Sequence, residues 1–154
     1  MKRLALLMFL LLSSSVYASE AFYKMTQNGA AACLARAVYQ EANTQGECGK
    51  EAVIAVIVNR AIRQQKHICD IVNQPSQFSW VKYGTNVSKL TDSKESERFV
   101  FNVVAKTVRS GYNSFNGVQY FYAHKQGKPV WAAKMSCVRV EDHTFCGEKY
   151  ERID

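Results

Sequence analysis

The first half of the chain carries apolar residues at a helical period. Leu34, Val38 and Glu41 recur at positions i, i+4 and i+7, so a helix over residues 28–42 places all three on one face. Residues 50–63 are apolar on nearly every side, which predicts a second helix that is buried at the centre of the fold. A short loop joins the two helices, so we expect them to be antiparallel neighbours.

The second half of the chain has shorter and less regular patterns. Residues 64–91 have no clear period, which predicts an irregular loop region. A third helix is expected to begin near Asp92 and to end near Gly111. The dipeptide Asn116-Gly117 is a strong turn signal, and the alternating residues that begin at Val118 predict a strand after it.

Two cysteines bracket an eight-residue segment near the end of the chain. If Glu141 and Asp142 form a two-residue loop, Cys137 lies directly opposite Cys146 on a β-hairpin, where a disulfide can form. Helices followed by a strand and a hairpin predict an α+β fold that is mostly α, with a small antiparallel sheet.

The N-terminal segment changes the expected location of the protein. The chain has 154 residues, of which 47% are hydrophobic and 21% are charged, as in one globular domain. An apolar run at residues 4–12 follows two basic residues and precedes small residues suited to cleavage after Ala18. An uncleaved membrane anchor is the alternative, but the run is shorter than a span requires. We therefore expect residues 1–18 to be a signal peptide and residues 19–154 to be a single secreted or periplasmic domain, without a membrane anchor.

The charge of the mature chain restricts its partners. Cleavage removes two basic residues and no acidic one, so the formal charge falls from +7 to +5. A modest positive charge suits an anionic polymer of the cell envelope, although it is also consistent with a charge that only keeps the protein soluble. No run of Lys and Arg is interleaved with aromatic residues, so nucleic acid is not an expected partner.

All five cysteines lie in the expected mature domain, where disulfides persist after export. Antiparallel packing of the first two helices brings Cys33 near Cys69, so we expect a second disulfide between them. Cys48 is then left over, either free or in an intermolecular bond. No C-x-x-C pair, H-E-x-x-H motif or cofactor motif occurs, so we expect neither a metal nor an organic cofactor.

Glu41 is the candidate catalytic residue. It shares its stripe with apolar residues and lies in the last turn of its helix, and both circumstances disfavour an ionised carboxylate. A raised carboxyl pKa is what a general acid needs near neutral pH. The alternative interpretation is a glutamate at the edge of the stripe that reaches solvent.

Aromatic rings and neutral hydrogen-bonding groups are frequent in the later loops and strand ends. Aromatic faces stack on sugar rings, and amides and hydroxyls bind sugar hydroxyl and acetamido groups. Taken singly, each of these aromatic residues is also consistent with a place in the core. The substrate-binding candidates are Gln77, Phe78, Ser79, Trp80, Tyr122, His124 and Trp131.

Two segments resemble the SleB-like cell wall hydrolases. Residues 33–42 read C-L-A-R-A-V-Y-Q-E-A, and residues 49–60 read G-K-E-A-V-I-A-V-I-V-N-R. The family typically has C-L-A-x-x-x-Y-x-E-A and then G-x-x-A-V-A-x-V-V-x-N-R. The likeness continues through residues 68–72 and 77–80. One departure is that Asn43-Thr44-Gln45 stands where the family often has R-G-E, so an amide replaces a neighbouring carboxylate.

The resemblance implies a lysozyme-like domain that acts on peptidoglycan glycan strands, with Glu41 as the essential acid. It also places the family's cysteine pair on Cys33 and Cys69. With one acid, the expected reaction is lytic transglycosylation of the MurNAc-GlcNAc linkage, which leaves 1,6-anhydromuramoyl ends. The alternatives are a hydrolytic muramidase-type glycosidase with a second acid such as Glu47, and a non-catalytic wall-binding module. We expect the protein to be a monomer.

Overall fold

The computed structural model describes residues 29–75, 77–78, 80–81, 102–103, 106, 115 and 117–148. Its main elements are α1 (Ala30–Ala42), α2 (Glu47–Gln64), α3 (Ile68–Val72), β1 (Tyr120–Ala123), two 3₁₀ helices (His124–Gln126 and Val130–Lys134), β2 (Ser136–Val140) and β3 (His143–Gly147). The predicted α+β architecture, mostly helical with a small antiparallel sheet, is confirmed.

Two predictions from the sequence concern residues that lie wholly or largely outside the described ones. The expected signal peptide is one of them. The other is the third predicted helix, of which the structure describes only residues 102, 103 and 106, all helical.

Helix α2 forms the centre of the core, as its pattern predicts. Every residue from Ala52 to Val58 is buried, and Ile54 and Ile57 are among the largest fully buried side chains. The helix begins at Glu47, three residues before the predicted start. Hydrogen bonds between its backbone and the hairpin described below fix its first turn. The local sequence pattern does not encode these contacts, because they join distant parts of the chain.

Helix α1 packs against α2 and α3 through its apolar face, with Leu34 and Val38 buried. The predicted Cys33–Cys69 disulfide is present. It joins the first turn of α1 to the chain that follows α2, as antiparallel packing of these helices requires. In this way the helix that carries Glu41 is attached to the core by apolar burial and by a covalent bond.

The prediction of an irregular region from residue 64 to residue 91 is wrong at residues 68–72, which form α3. His67 caps this helix, because its Nδ1 accepts a hydrogen bond from the Cys69 N–H at 3.1 Å. Ile68 and Ile71 are buried against the other helices. A five-residue helix contains little more than one turn, so its apolar period is too short to detect in the sequence.

The three strands form an antiparallel sheet in the order β1-β3-β2. The predicted hairpin register is confirmed: Cys137 lies opposite Cys146, Val140 lies opposite His143, and Glu141 and Asp142 form the loop between β2 and β3. The predicted disulfide between Cys137 and Cys146 is present. The predicted strand after the Asn116-Gly117 turn begins at Tyr120.

Polar side chains of α2 attach the helix to the segment that leads into β1. Asn59 Nδ2 donates hydrogen bonds to the carbonyl oxygens of Phe115 at 3.1 Å and Val118 at 2.8 Å. Arg60 Nε donates to the carbonyl oxygen of Gln119 at 2.5 Å. These bonds satisfy buried carbonyl groups and place β1 beside the central helix.

Among the residues that the structure describes, no helix is long and apolar enough to cross a membrane.

Candidate active site

Glu41 is the penultimate residue of α1 and is half-buried. Its carboxyl group lines a cavity of about 280 Å³, to which Arg60, Gln77, Tyr122 and His143 also contribute. Helices α1 and α2 therefore form part of this cavity, and β1 and β3 form another part. The prediction that Glu41 lies at the end of its helix is confirmed, and the side chain is less exposed than a surface glutamate.

Burial raises the pKa of Glu41 above its ordinary value of 4.5, because it deprives the carboxylate of water. A hydrogen bond with the Trp80 side chain acts in the opposite direction, since it stabilises the ionised form. The net direction is upward. Glu41 therefore keeps its proton to a higher pH than a solvated glutamate does, as a general acid requires.

The Glu41 cavity adjoins two others, and together the three form a groove. The second cavity has a volume of about 460 Å³ and shares Arg60, Gln77 and Phe121 with the first. The third has a volume of about 360 Å³ and shares Phe121 and Tyr122 with the first. Three adjoining cavities, one of which contains a carboxyl group, suit a polymeric ligand better than they suit a small molecule.

Aromatic rings form one wall of the groove. Trp131 is 42% exposed and packs against Tyr120 and Tyr122, with ring centroids 5.6 Å and 5.8 Å apart. Tyr120 and Tyr122 are two positions apart on β1, so their side chains lie on the same face of the strand. An exposed ring that its neighbours hold in place can stack on a sugar with little loss of side-chain entropy.

Arg60 lies between the first two cavities of the groove and is only 8% exposed. Besides its hydrogen bond to Gln119, its guanidinium lies 5.9 Å from the centroid of the Phe78 ring and 5.4 Å from that of Tyr120. Burial lowers the pKa of Arg60, but an arginine stays protonated at neutral pH. The groove therefore contains a fixed positive charge.

Contacts to the hairpin loop hold the chain that follows Glu41. The Glu141 carboxylate accepts hydrogen bonds from the Gly46 N–H at 2.7 Å and from the Gly49 N–H at 3.2 Å. Gln45 Nε2 donates to Asp142 Oδ2 at 3.0 Å, and the Asp142 N–H donates to Gln45 Oε1 at 3.1 Å. We call these four bonds the hairpin clamp.

A buried lysine completes the support of this loop. Lys50 is fully buried, and its Nζ donates to the carbonyl oxygens of Asn43, at 3.0 Å, and Gln45. It thereby satisfies carbonyl groups at the end of α1 that have no partner within the helix. Gly49 has to be a glycine here, because a Cβ at this position would lie 2.7 Å from the Cβ of Gln45.

Comparison with known families identifies the domain. The Cell Wall Hydrolase family model matches residues 44–146, which is most of the chain. The chain belongs to the cell wall hydrolase family. No curated protein and no solved structure gives a significant match. Family membership implies that the substrate is peptidoglycan, and together with two disulfides it suggests a protein that works outside the cytoplasm.

The family match begins three residues after Glu41, so it identifies the domain of this cell wall hydrolase but does not test the role of that residue. The geometry of the groove is evidence about that role that does not depend on the family match. Glu41 is the sole carboxylate among the described residues that line the first cavity. Glu47, the candidate second acid, is exposed and forms an ion pair with Lys106.

The structure places most of the predicted substrate-binding residues at the groove. Gln77, Phe78 and Tyr122 line the first cavity, and Trp131 lines the other two. Phe78 is buried and stacks on the half-buried Trp80 with ring centroids 5.8 Å apart, so Trp80 packs against a ring that lines the cavity.

Trp80, His124 and Ser79 are not among the described residues that line these three cavities. His124 is exposed at the start of a 3₁₀ helix, and Gln126, two residues later, lines the first cavity. Ser79 lies outside the described residues.

Arg60 and His143 are polar groove residues of this cell wall hydrolase that were not predicted as site residues from the sequence. Arg60 ends the N-R pair of the second segment, and a charged residue at the end of an apolar helix was a usable signal. His143 follows the hairpin loop, and burial lowers its pKa, which favours the neutral imidazole. The Nδ1 atom of His143 is buried and has no hydrogen-bond partner among the described residues. Among the described residues, no three His, Cys, Asp or Glu side chains come together as a metal site would require.

Proposed function

We propose that this cell wall hydrolase is an exported lytic transglycosylase that cleaves the linkage between MurNAc and GlcNAc. The observation that carries the proposal is the half-buried Glu41, whose pKa is raised and which is the one carboxylate among the described residues of its cavity. A hydrolase of the usual kind needs two carboxylates placed across the bond, whereas a transglycosylase needs one.

In the first step, protonated Glu41 donates its proton to the glycosidic oxygen. The bond between this oxygen and C1 of MurNAc breaks, and the GlcNAc side leaves with a free 4-hydroxyl group. In the second step, the Glu41 carboxylate takes the proton of the MurNAc 6-hydroxyl as its oxygen bonds to C1. The products are a 1,6-anhydromuramoyl end and Glu41 in its protonated form, so no external water is consumed.

The other groove residues bind the strand in this proposal. Trp131 and Tyr122 stack on sugar rings, and Gln77 and Gln126 bind hydroxyl and acetamido groups. The neutral His143 contributes a hydrogen-bonding nitrogen beside Glu41 without adding a charge that would lower the pKa of the carboxyl group.

The decisive variant is Glu41→Gln, which keeps the shape of the side chain but cannot donate a proton. Loss of a general acid costs about 100- to 10,000-fold in rate, so we expect strand cleavage to fall at least 100-fold. Glu51→Gln is the matched control, because Glu51 is also a glutamate whose pKa is raised, but it lies near Glu47 and Lys106. Equal cleavage by wild type and Glu41→Gln would remove Glu41 from the catalytic role.

The products distinguish the two catalytic alternatives. Purified sacculi are digested with the wild-type protein, and the released fragments are analysed by mass spectrometry. Anhydromuramoyl ends are the expected result. Reducing muramic acid ends without the anhydro form would identify a hydrolase. Binding of sacculi by both wild type and Glu41→Gln, without cleavage by either, would identify a wall-binding module.

The proposal includes export. Residues 1–18 act as a signal peptide, and residues 19–154 form a single monomeric domain that is secreted or periplasmic. The two disulfides support this, because such bonds persist in oxidising compartments. N-terminal sequencing of the exported protein should give Ser19 as the first residue. Recovery of an intact chain in the membrane fraction would instead indicate an uncleaved anchor.

A further inference from the structure

Part of the Arg60 guanidinium is left without a partner by the described contacts that hold the side chain in place. Its Nε donates a hydrogen bond to Gln119, and its guanidinium lies against two aromatic rings, but Nη1 is buried and has no hydrogen-bond partner among the described residues. No carboxylate of the described residues forms an ion pair with it. A buried, charged N–H group without a partner is costly, and natural sites usually satisfy such groups.

The position of Arg60 indicates what its guanidinium could bind. The side chain lines both the Glu41 cavity and the second cavity, which also contains Tyr120 and Trp131. A sugar bound beside Glu41 would therefore place its substituents next to the guanidinium. The planar fork of an arginine matches a carboxylate better than it matches a single hydroxyl or an amide carbonyl.

A glycan strand of peptidoglycan has one substituent that can become a carboxylate close to the sugar ring. This is the lactyl group on C3 of MurNAc. It is an amide while a stem peptide is attached and a free carboxylate after the peptide has been removed. The carboxylates of the stem peptide itself lie farther along a flexible chain.

We propose that Arg60 binds the free lactyl carboxylate of MurNAc, so that the groove prefers glycan strands without stem peptides. This inference rests on the proposed function for its substrate. The reaction that must supply such strands is hydrolysis of the amide bond between the lactyl group and the first amino acid. The protein would then act after an amidase and not before it.

The test compares two preparations of the same glycan strands, one with stem peptides and one from which an amidase has removed them. Cleavage is measured as kcat/KM from chromatography of the products. Binding of both preparations to the inactive Glu41→Gln variant is measured as a Kd. A charge-assisted hydrogen bond is worth about 10- to 100-fold, so we expect a preference of that size for peptide-free strands in both measurements.

Two arginine variants show whether Arg60 causes the preference. Arg60→Met should reduce it to less than about 3-fold, and Arg60→Lys should retain only part of it because lysine lacks the planar fork. Arg63→Met is the matched control, because Arg63 lies on the same helix and bonds the Gln119 side chain at 2.9 Å. It should keep the full preference. Thermal unfolding verifies that each variant is folded.

The outcomes separate this inference from the proposed function. Equal cleavage and binding of the two preparations by the wild-type groove would overturn the inference and leave the catalytic proposal intact. Preference for peptide-bearing strands, or for strands rich in muramic lactam, would also overturn it. Binding of peptide-free strands through Arg60 without cleavage would support the inference and overturn the catalytic proposal. If both Arg60 variants fail to fold, equal binding and cleavage of the two preparations by the wild-type groove would still overturn the inference.

Discussion

The α1–α2 pair and the β2–β3 hairpin each contribute a side chain to the Glu41 cavity, but different interactions hold them in place. The helices are held by apolar burial, with an uninterrupted run of buried residues along α2. The hairpin is held by its register, by a disulfide across the strands and by the polar hairpin clamp. Apolar burial therefore accounts for most of the attachment of the helices, whereas polar and covalent contacts account for the position of the hairpin.

The largest expected effect comes from a cavity in the helical region. Ile57 is fully buried, so Ile57→Ala should lower the free energy of unfolding by about 2–5 kcal/mol. Ile62→Ala is the matched control on the same helix, because Ile62 is 50% exposed and should cost less than about 1 kcal/mol. Chemical denaturation measures both. Equal losses would show that burial along α2 does not dominate stability.

The two disulfides should differ in their contributions. Their half-cystines are 36 and 9 positions apart, and the chain-entropy model assigns about 4 kcal/mol to the longer loop and about 2.5 kcal/mol to the shorter. Replacing Cys33 and Cys69 by Ser should therefore destabilise the protein more than replacing Cys137 and Cys146. It should also lower activity, because the bond attaches the Glu41 helix to the core. The reverse order of stabilities would contradict the comparison.

Breaking the hairpin clamp should lower activity more than the accompanying loss of unfolding free energy suggests. Glu141→Gln replaces a carboxylate that accepts two backbone hydrogen bonds, and we expect a loss of about 1–2 kcal/mol in unfolding free energy. Because the clamp fixes the loop after Glu41, kcat should fall as well.

Glu148→Gln is the control for the clamp, since Glu148 forms an exposed ion pair with Arg63 that is worth less than about 1 kcal/mol. Unfolding and kinetics are measured on the same samples. Unchanged kcat in Glu141→Gln would show that the loop does not position Glu41.

The sequence predicted the elements whose signals are local. The apolar run of α2 indicates a buried helix, and the spacing of Cys137 and Cys146 fixes the hairpin register. The position of Glu41 on its stripe likewise indicated partial burial.

Contacts between distant parts of the chain could not be predicted in this way. The hydrogen bond from the Gly46 N–H to Glu141 joins residues that are 95 positions apart, and no periodicity in the sequence encodes it. The charge of Arg60 after an apolar run is visible in the sequence, but the cavities that Arg60 reaches are fixed only once β1 has been placed beside α2.

The smallest expected effect concerns pH and distinguishes Glu41 from the residues that only stabilise the fold. Because burial raises its pKa above 4.5, the folded protein binds more protons than the unfolded chain at pH values between the two pKa values. The contribution of Glu41 to stability is therefore present at low pH and is lost as the pH rises through its folded pKa. Glu41→Gln removes this loss, so we expect the inactive variant to be more stable than wild type at neutral pH.

Unfolding at pH 4 and pH 7 measures the difference in stability between Glu41→Gln and wild type. Cleavage by wild type should decline over the same rise in pH, because the acid loses its proton. A variant that is equally or less stable than wild type at both pH values would show that the carboxylate is well solvated in the folded protein, and the physical basis for assigning Glu41 as the acid would be lost.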